Sequence, residues 1–364
     1  MILRILDRYI AKRFLTTLSF ALIAFILIFL IVDLIENLDK FIDKGAPVKV
    51  VMMYYLNYVP FIVVLTLPVA MLLSTLFSLG LLARNFELTA MKANGISLYR
   101  IIAPVLLIGM MMSIMVFFIG DKLVSASNRR KSDIKSEHID HRSQATKALS
   151  IDLFVEGSNG VIYYMKNYDP NLKIGTGILI HRIENDRVVE TIEAKRIKYI
   201  GNIWIGEDGT RRVFSSDSIS VPNTFEIFGK IPLTEFNEPP EAFEKLKEKP
   251  SDMPYSELKK YIELKKRLGK DTAREGVELN LKISFPLMNF IIVMLGAPLA
   301  ANPRRSGAAL GFATSLIFGF IYFTIIRACQ SLGQNHDLSP VLAAWLGNMI
   351  FFAVGIVLMI KAHK

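Results

Sequence analysis

Glu87 stands in a short polar interruption, residues 83–100, between two very apolar runs. Phe86, Leu88, Ala90, Met91 and Ala93 suit one face of a helix, and Gly95 sits where a helix would stop. The pattern predicts a short helix lying across a membrane surface. A carboxylate among apolar neighbours suits docking into a groove of a soluble partner, with Phe86, Leu88 and Met91 as anchors. The plainer role is favourable placement against the helix dipole. A second set is cationic: Lys40, Lys44, Lys282 and Arg327 each lie at the end of an apolar run. Such groups either bind phosphates through charge-assisted hydrogen bonds or snorkel at an interface. A third set is bulky and apolar. Phe61, Leu65, Phe318, Tyr322 and Phe323 suit contact with the chains of an apolar ligand, or ordinary packing.

Other chemistries lack their residues. The sequence has no His-Glu-x-x-His and no Gly-x-Ser-x-Gly, which argues against an intramembrane enzyme. It has no Gly-x-x-x-x-Gly-Lys-Ser/Thr loop to cradle nucleotide phosphates. His181 stands alone, and His138 and His141 lack a second group of metal ligands. With Cys329 the single cysteine, no internal disulfide can form. Neither a metal nor an organic cofactor is expected.

The elements that must position these residues are membrane helices. The chain has 364 residues, 52% of them hydrophobic, and a mean hydropathy of +0.38. Six runs carry no charge and can cross a bilayer core, which takes about 20 residues of helix. They are 14–32, 50–83, 101–120, 283–303, 306–326 and 338–360. The second is too long for one straight span and holds Pro60 and Pro68, which predict a kink. Residues 1–13 alternate apolar and basic, as in a short interfacial helix. The first run is too long for a cleavable signal peptide.

Charge sets the expected orientation. If the first residues are cytoplasmic, that side holds Arg4, Arg8, Lys12, Arg13, Arg84, Lys92, Arg100, Arg304, Arg305, Lys361 and Lys364 against Asp7 and Glu87. The short outer segments hold Lys40, Lys44, Lys49, Lys282 and Arg327 against Asp33, Glu36, Asp39, Asp43, Glu278 and Asp337. This asymmetry predicts both termini inside and the long polar insert outside. It also explains the net charge of +10. The bases do not cluster on a soluble domain, so nucleic-acid binding is not indicated.

Between the third and fourth runs the period changes. β-branched or alternating stretches occur at 150–155, 160–165, 177–182, 188–192, 196–199, 203–205, 212–214 and 224–228. Turn residues separate them, including Gly201-Asn202 and Glu207-Asp208-Gly209. Short strands at this spacing predict a sandwich or jelly roll. A charged helical stretch at 121–141 precedes them. A charged linker at 239–250 and an amphipathic helix at 256–270 follow.

The order is three spans, one β domain, three spans. Within it, Glu87-Leu88 with Met91, Ala93, Gly95 and Ser97 fits the pattern Glu-Leu-x-x-Met-x-Ala-x-Gly. Leu6-Asp7-Arg8-Tyr9-Ile10 opens the chain. Ser256-Glu257-Leu258, Tyr261-Ile262, Glu278-Leu279, Lys282 and Pro286 precede or enter the fourth span, and Gly177-Ile178, Ala194 and Trp204 lie in the β domain. Together these features resemble the LptF/LptG permeases of the lipopolysaccharide exporter over essentially the whole chain. The opening residues resemble the LptG branch more than LptF.

The resemblance implies an α-helical membrane protein with six transmembrane helices and an inserted, jelly-roll-like periplasmic β domain. Its parts would be 1–120 with a coupling helix near 84–95, 121–275, and 276–364. It implies a bacterial inner-membrane transporter subunit, not an enzyme. ATP would be bound by a partner LptB-like ATPase dimer, which docks on Phe86, Glu87, Leu88, Met91 and Gly95. An LptF-like permease would complete the pair, and LptC and LptA-like proteins the bridge. Spans one, two and five line the lipid cavity in that family. This favours Lys40 and Arg327 for lipid phosphate, with Lys44 and Lys282 further candidates. Phe61, Leu65, Phe318, Tyr322 and Phe323 would meet acyl chains. One departure concerns the end of span one, where further lysines are common in LptG-type proteins and Asp33 and Asp39 stand here. The alternatives are the LptF seat, or a membrane-anchored periplasmic sensor or scaffold.

Overall fold

A computed structural model describes residues 5–136, 149–156, 161–169, 172–184, 187–214, 223–233, 240, 250–267, 271–301 and 308–362. The expected features at His138 and His141, at Arg304 and Arg305, and over most of the 239–250 linker lie outside these residues. The chain forms two compact units: residues 1–140, 251–255 and 273–364, and residues 141–250 and 256–272.

The first unit is helical. Its long elements are α1 (Ile5–Asp43), α2 (Val48–Arg84), α4 (Leu98–Ile119), α7 (Ala273–Ala300), α8 (Ala308–Gln334) and α9 (Pro340–Lys361). The short α3 (Glu87–Ala93) joins α2 to α4. Among the described residues, six helices are long and apolar enough to cross a membrane. α1 differs from expectation. It has 39 residues, about 58 Å at 1.5 Å per residue, against a hydrocarbon core of about 30 Å. The basic-apolar start is therefore the first turns of the span's own helix. The reason is its buried stripe: Ile10, Phe14, Leu18 and Ala21 recur every three or four residues. That stripe runs unbroken from the polar start into the apolar run. α2 likewise passes through Pro60 and Pro68 as one helix.

α4 continues without a break through a π-helical turn (Gly120–Val124) into α5 (Ser125–Ile134). The returning chain is tied to this turn, because Tyr255 donates its backbone N–H to the Asp121 carboxylate. α4 and α7 pack closely. A Cβ on Gly109 would lie 3.4 Å from Val293. One turn along, the Ser113 hydroxyl donates to the Gly109 carbonyl at 3.0 Å and accepts the Phe290 N–H at 3.1 Å. Hydrogen bonds between membrane helices are worth about 1 kcal/mol. Ser113→Ala should lower the unfolding free energy by about that much, read in a mild-detergent denaturation series.

The second unit holds one antiparallel sheet in the order β1-β2-β3-β4-β5-β6. The strands are β1 (Leu149–Glu156), β2 (Val161–Asp169), β3 (Ile174–Glu184), β4 (Arg187–Ile200), β5 (Ile203–Val213) and β6 (Thr224–Leu233). Each pairs with its sequence neighbours, so the described strands form one meandering sheet. Eight expected runs become six strands because two pairs fuse. The runs 188–192 and 196–199 are one strand, β4. The runs 203–205 and 212–214 are one strand, β5, passing straight through Glu207-Asp208-Gly209. There Gly209 marks close backbone approach rather than a turn. Any Cβ would collide with the Glu193 carbonyl and the Phe228 ring. Gly201, by contrast, does turn the β4–β5 hairpin, with φ +57°. Val161, Tyr163, Met165, Tyr168, Ile178, Ile180, Ala194, Ile197, Trp204, Phe228 and Leu233 form the core. An amphipathic helix, α6 (Tyr255–Arg267), follows the sheet in sequence.

Candidate functional site: a polar clamp around α3

α3 is built as the spacing predicts at its end. Gly95 has φ +78°. Its N–H bonds the Lys92 carbonyl, and the Ile96 N–H bonds the Met91 carbonyl. This is a Schellman motif, which needs a left-handed residue at Gly95. The start is less ordinary, since Phe86 holds φ 60° with a full side chain, 70% exposed. Leu88 is only 3% exposed and joins the helical core. Met91 packs against the same core. Of the three expected apolar anchors, Phe86 is therefore the one presented outward. Leu88 and Met91 fasten α3 to the bundle, because a seven-residue helix has too few turns to hold itself.

The Glu87 carboxylate turns toward α1. Oε2 accepts the Tyr9 hydroxyl at 2.9 Å. Oε1 accepts Arg13 at 3.2 Å and the Asn85 amide at 3.4 Å. Arg13 also donates to the Tyr9 oxygen at 2.8 Å. Tyr9 and Arg13 are one turn apart, so α1 presents both to the same carboxylate. Thirteen residues along the chain from Glu87, Arg100 donates to the Asp7 carboxylate at 2.7 Å. Asp7 is 2% exposed. The Tyr99 hydroxyl donates to the Met359 carbonyl, at the end of α9, at 2.9 Å. The start of α1, the α2–α4 connection and the end of α9 therefore meet at one end of the helical unit. The two acids expected at this end each take a partner base there. The stripe of α1 was the signal for Asp7: it falls one turn before Ile10 on the buried face.

Partial burial works to raise the Glu87 pKa. The hydrogen bonds from Tyr9, Arg13 and Asn85 and the charge of Arg13 outweigh it, holding the carboxyl below its ordinary value. A depressed carboxyl contributes stability above its unfolded pKa and loses it as pH falls through the folded value. The clamp should thus open at a lower pH than that at which an unpaired glutamate takes up its proton. Infrared titration of the carboxylate band, with Glu87→Gln as the blank, reads this directly.

The cationic candidates lie on or just past three helices, α1, α7 and α8. Lys40 is exposed and donates to Asn37 of its own helix at 3.0 Å. Lys44 is exposed and lies just past α1. Arg327 is exposed on α8 and donates to Gln330 at 2.8 Å. Lys282 is half-buried on α7. Asp33, whose partner the sequence did not reveal, accepts the Tyr55 hydroxyl at 2.9 Å. The bulky candidates also divide. Phe61 stacks on Tyr58, centroids 5.7 Å apart, beneath Lys131, whose ammonium lies 3.8 Å from the Tyr58 centroid. Leu65, Phe318 and Phe323 are half-buried. Tyr322 is fully buried, stacks on Phe351 and donates to the Asn348 Oδ1 at 2.7 Å. Its ring is bundle core, since a phenol in a membrane interior needs an internal acceptor. In the β sheet, His181 faces Thr191 at 2.9 Å, a cross-strand pair. No group of His, Cys, Asp or Glu suited to a metal occurs among the described residues.

Comparisons with known proteins bear on the whole chain. The chain is 22% identical to the lipopolysaccharide export system permease protein LptG of Escherichia coli K12, over 98% of each chain. It is also 22% identical to LptF of the same strain, over 97% of this chain and 94% of that one. LptG of Haemophilus influenzae is 19% identical, over 96% of each. The family model for the lipopolysaccharide export system permease LptF/LptG matches residues 8–361. Six apolar helices, a β domain between the third and fourth, and a match over nearly the full length agree: the chain belongs to the LptF/LptG family of lipopolysaccharide export permeases.

Proposed function

We propose that this chain is the LptG-like half of a permease pair that extracts lipopolysaccharide from the inner membrane, driven by a separate LptB-like ATPase dimer docking at α3. One observation carries this reading. A short helix, bolted to the bundle through Leu88 and Met91, presents Phe86 and part of Glu87 at the end that also holds the basic excess. An element of this construction passes a push from outside into the spans. The positive excess supports a cytoplasmic location for that end and both termini, and a periplasmic one for the β domain. There it would meet LptC and LptA-like bridge proteins. The opening Leu6-Asp7-Arg8-Tyr9 favours the LptG seat over the LptF seat. In this reading Lys40, Arg327, Lys44 and Lys282 meet lipid phosphate. Phe61, Leu65, Phe318 and Phe323 meet acyl chains. The chain itself needs no cofactor.

Purification in mild detergent, with mass spectrometry of proteins and lipids, tests it. The expected result is a second permease, an ATPase and lipopolysaccharide with the chain. Recovery of the chain with periplasmic proteins and no ATPase would support a sensor or scaffold instead.

A further inference from the structure

We propose that Tyr9 and Arg13 are positioning residues for coupling, and that with Asp7–Arg100 they make the start of α1 and the α2–α4 connection move as one body. The inference rests on the docking role given above to α3. Its first support is geometric. Both Glu87 oxygens are engaged from α1, so the rotamer that α3 shows a partner is set by Tyr9 and Arg13. A carboxylate has room for about four hydrogen bonds, and Glu87 keeps 30% of its side-chain surface. A partner's cation can therefore join without displacing Arg13.

The second support is the spacing of the two pairs. Glu87–Arg13 holds the start of α3, and Arg100–Asp7 holds the first turn of α4. A push on α3 cannot shift one end of the connection without pulling on α1 at both. The third is how α1 is packed. Its buried side chains are Asp7, Ile10, Phe14, Leu18 and Ala21 near the start and Phe41 near the end. Between them Ile23, Leu27, Ile28, Phe29 and Ile31 are exposed. Leu22 and Phe25 still pack against the helical core, but one face of the middle is open, so a rod gripped at its start by a clamp carries displacement along its length.

The test uses the assembled complex with the double variant Tyr9→Phe/Arg13→Ala. The ATPase should still co-purify. Lipid moved per ATP should fall on the order of fivefold, the low end of coupling between linked sites. Arg13→Lys, which keeps the charge, should recover part of the loss. Normal coupling in the double variant, or loss of coupling only in proportion to lost assembly, would overturn the proposal. A second arm is independent of the transport reading. Spin labels at Lys12 and Thr89, both exposed, report the α1–α3 distance in the purified chain. The double variant should broaden that distribution; an unchanged distribution would overturn the clamp itself, whatever the chain is found to transport.

Discussion

Under the docking proposed for α3, Glu87→Ala is expected to uncouple a partner ATPase from lipid movement while leaving the protein folded in the membrane. The two halves of the expectation have different physical sources. The Arg13–Glu87 pair is partly exposed, with 22% and 30% of the two side chains accessible. Pairs of this kind contribute about 0–1 kcal/mol. Leu88, Met91 and the Schellman turn at Gly95 hold α3 without it. Membrane abundance and the melting temperature of the helical unit should therefore change little. Docking is different. A central charged anchor at an interface is worth about 2 kcal/mol or more, some 30-fold in affinity. Glu87→Lys should be worse, because it faces Arg13 with a like charge. Hydrolysis and transport measured side by side on the reconstituted complex decide the matter. Normal values of both in Glu87→Ala would rule out docking through this residue.

Trp204→Ala is expected to unfold the β domain selectively. Trp204 is 1% exposed and packs edge-on against Tyr168, centroids 6.2 Å apart, and against Tyr199 at 5.0 Å. Removing a buried Trp costs about 3–5 kcal/mol. A domain of this size holds only about 5–15 kcal/mol in all. Its midpoint should fall by roughly 15 °C or more. The helical unit has its own core around Phe14, Met71, Leu79, Ile101 and Ile292. Limited proteolysis of the full chain at rising temperature should then release fragments of the β domain early and leave the spans intact. Coincident loss of both units would contradict their separate cores.

Some of the candidate site was legible because it depends on near neighbours in the chain. The stop at Gly95 needs only a residue that tolerates positive φ after a helical face. The six spans need only length and apolarity. Other features involve partners far apart in sequence. Glu87 and Arg13 are 74 residues apart, and Arg100 and Asp7 are 93 apart. Periodicity placed Leu88 and Met91 on a helix face but could not say whether that face looked to solvent or to the bundle. For Tyr322 the same ambiguity turned a candidate lipid contact into buried core. Gly209 shows the converse error: a glycine beside Asp208 has the composition of a turn, but only the paired strands reveal the Glu193 carbonyl that excludes a side chain.

The sequence by itself determined the architecture of this protein: a multi-pass membrane protein with an inserted β domain. Run length, charge asymmetry and strand spacing are local or additive properties, and they survive without any tertiary contact. Only the tertiary structure decided how α3 is held. The Glu87 carboxylate faces α1 because helix α1 continues past the apolar run and carries Tyr9 and Arg13 to it. The choice of partner for each of two acids among eleven bases is set by which helix ends the packing brings together, and no spacing along the chain encodes that.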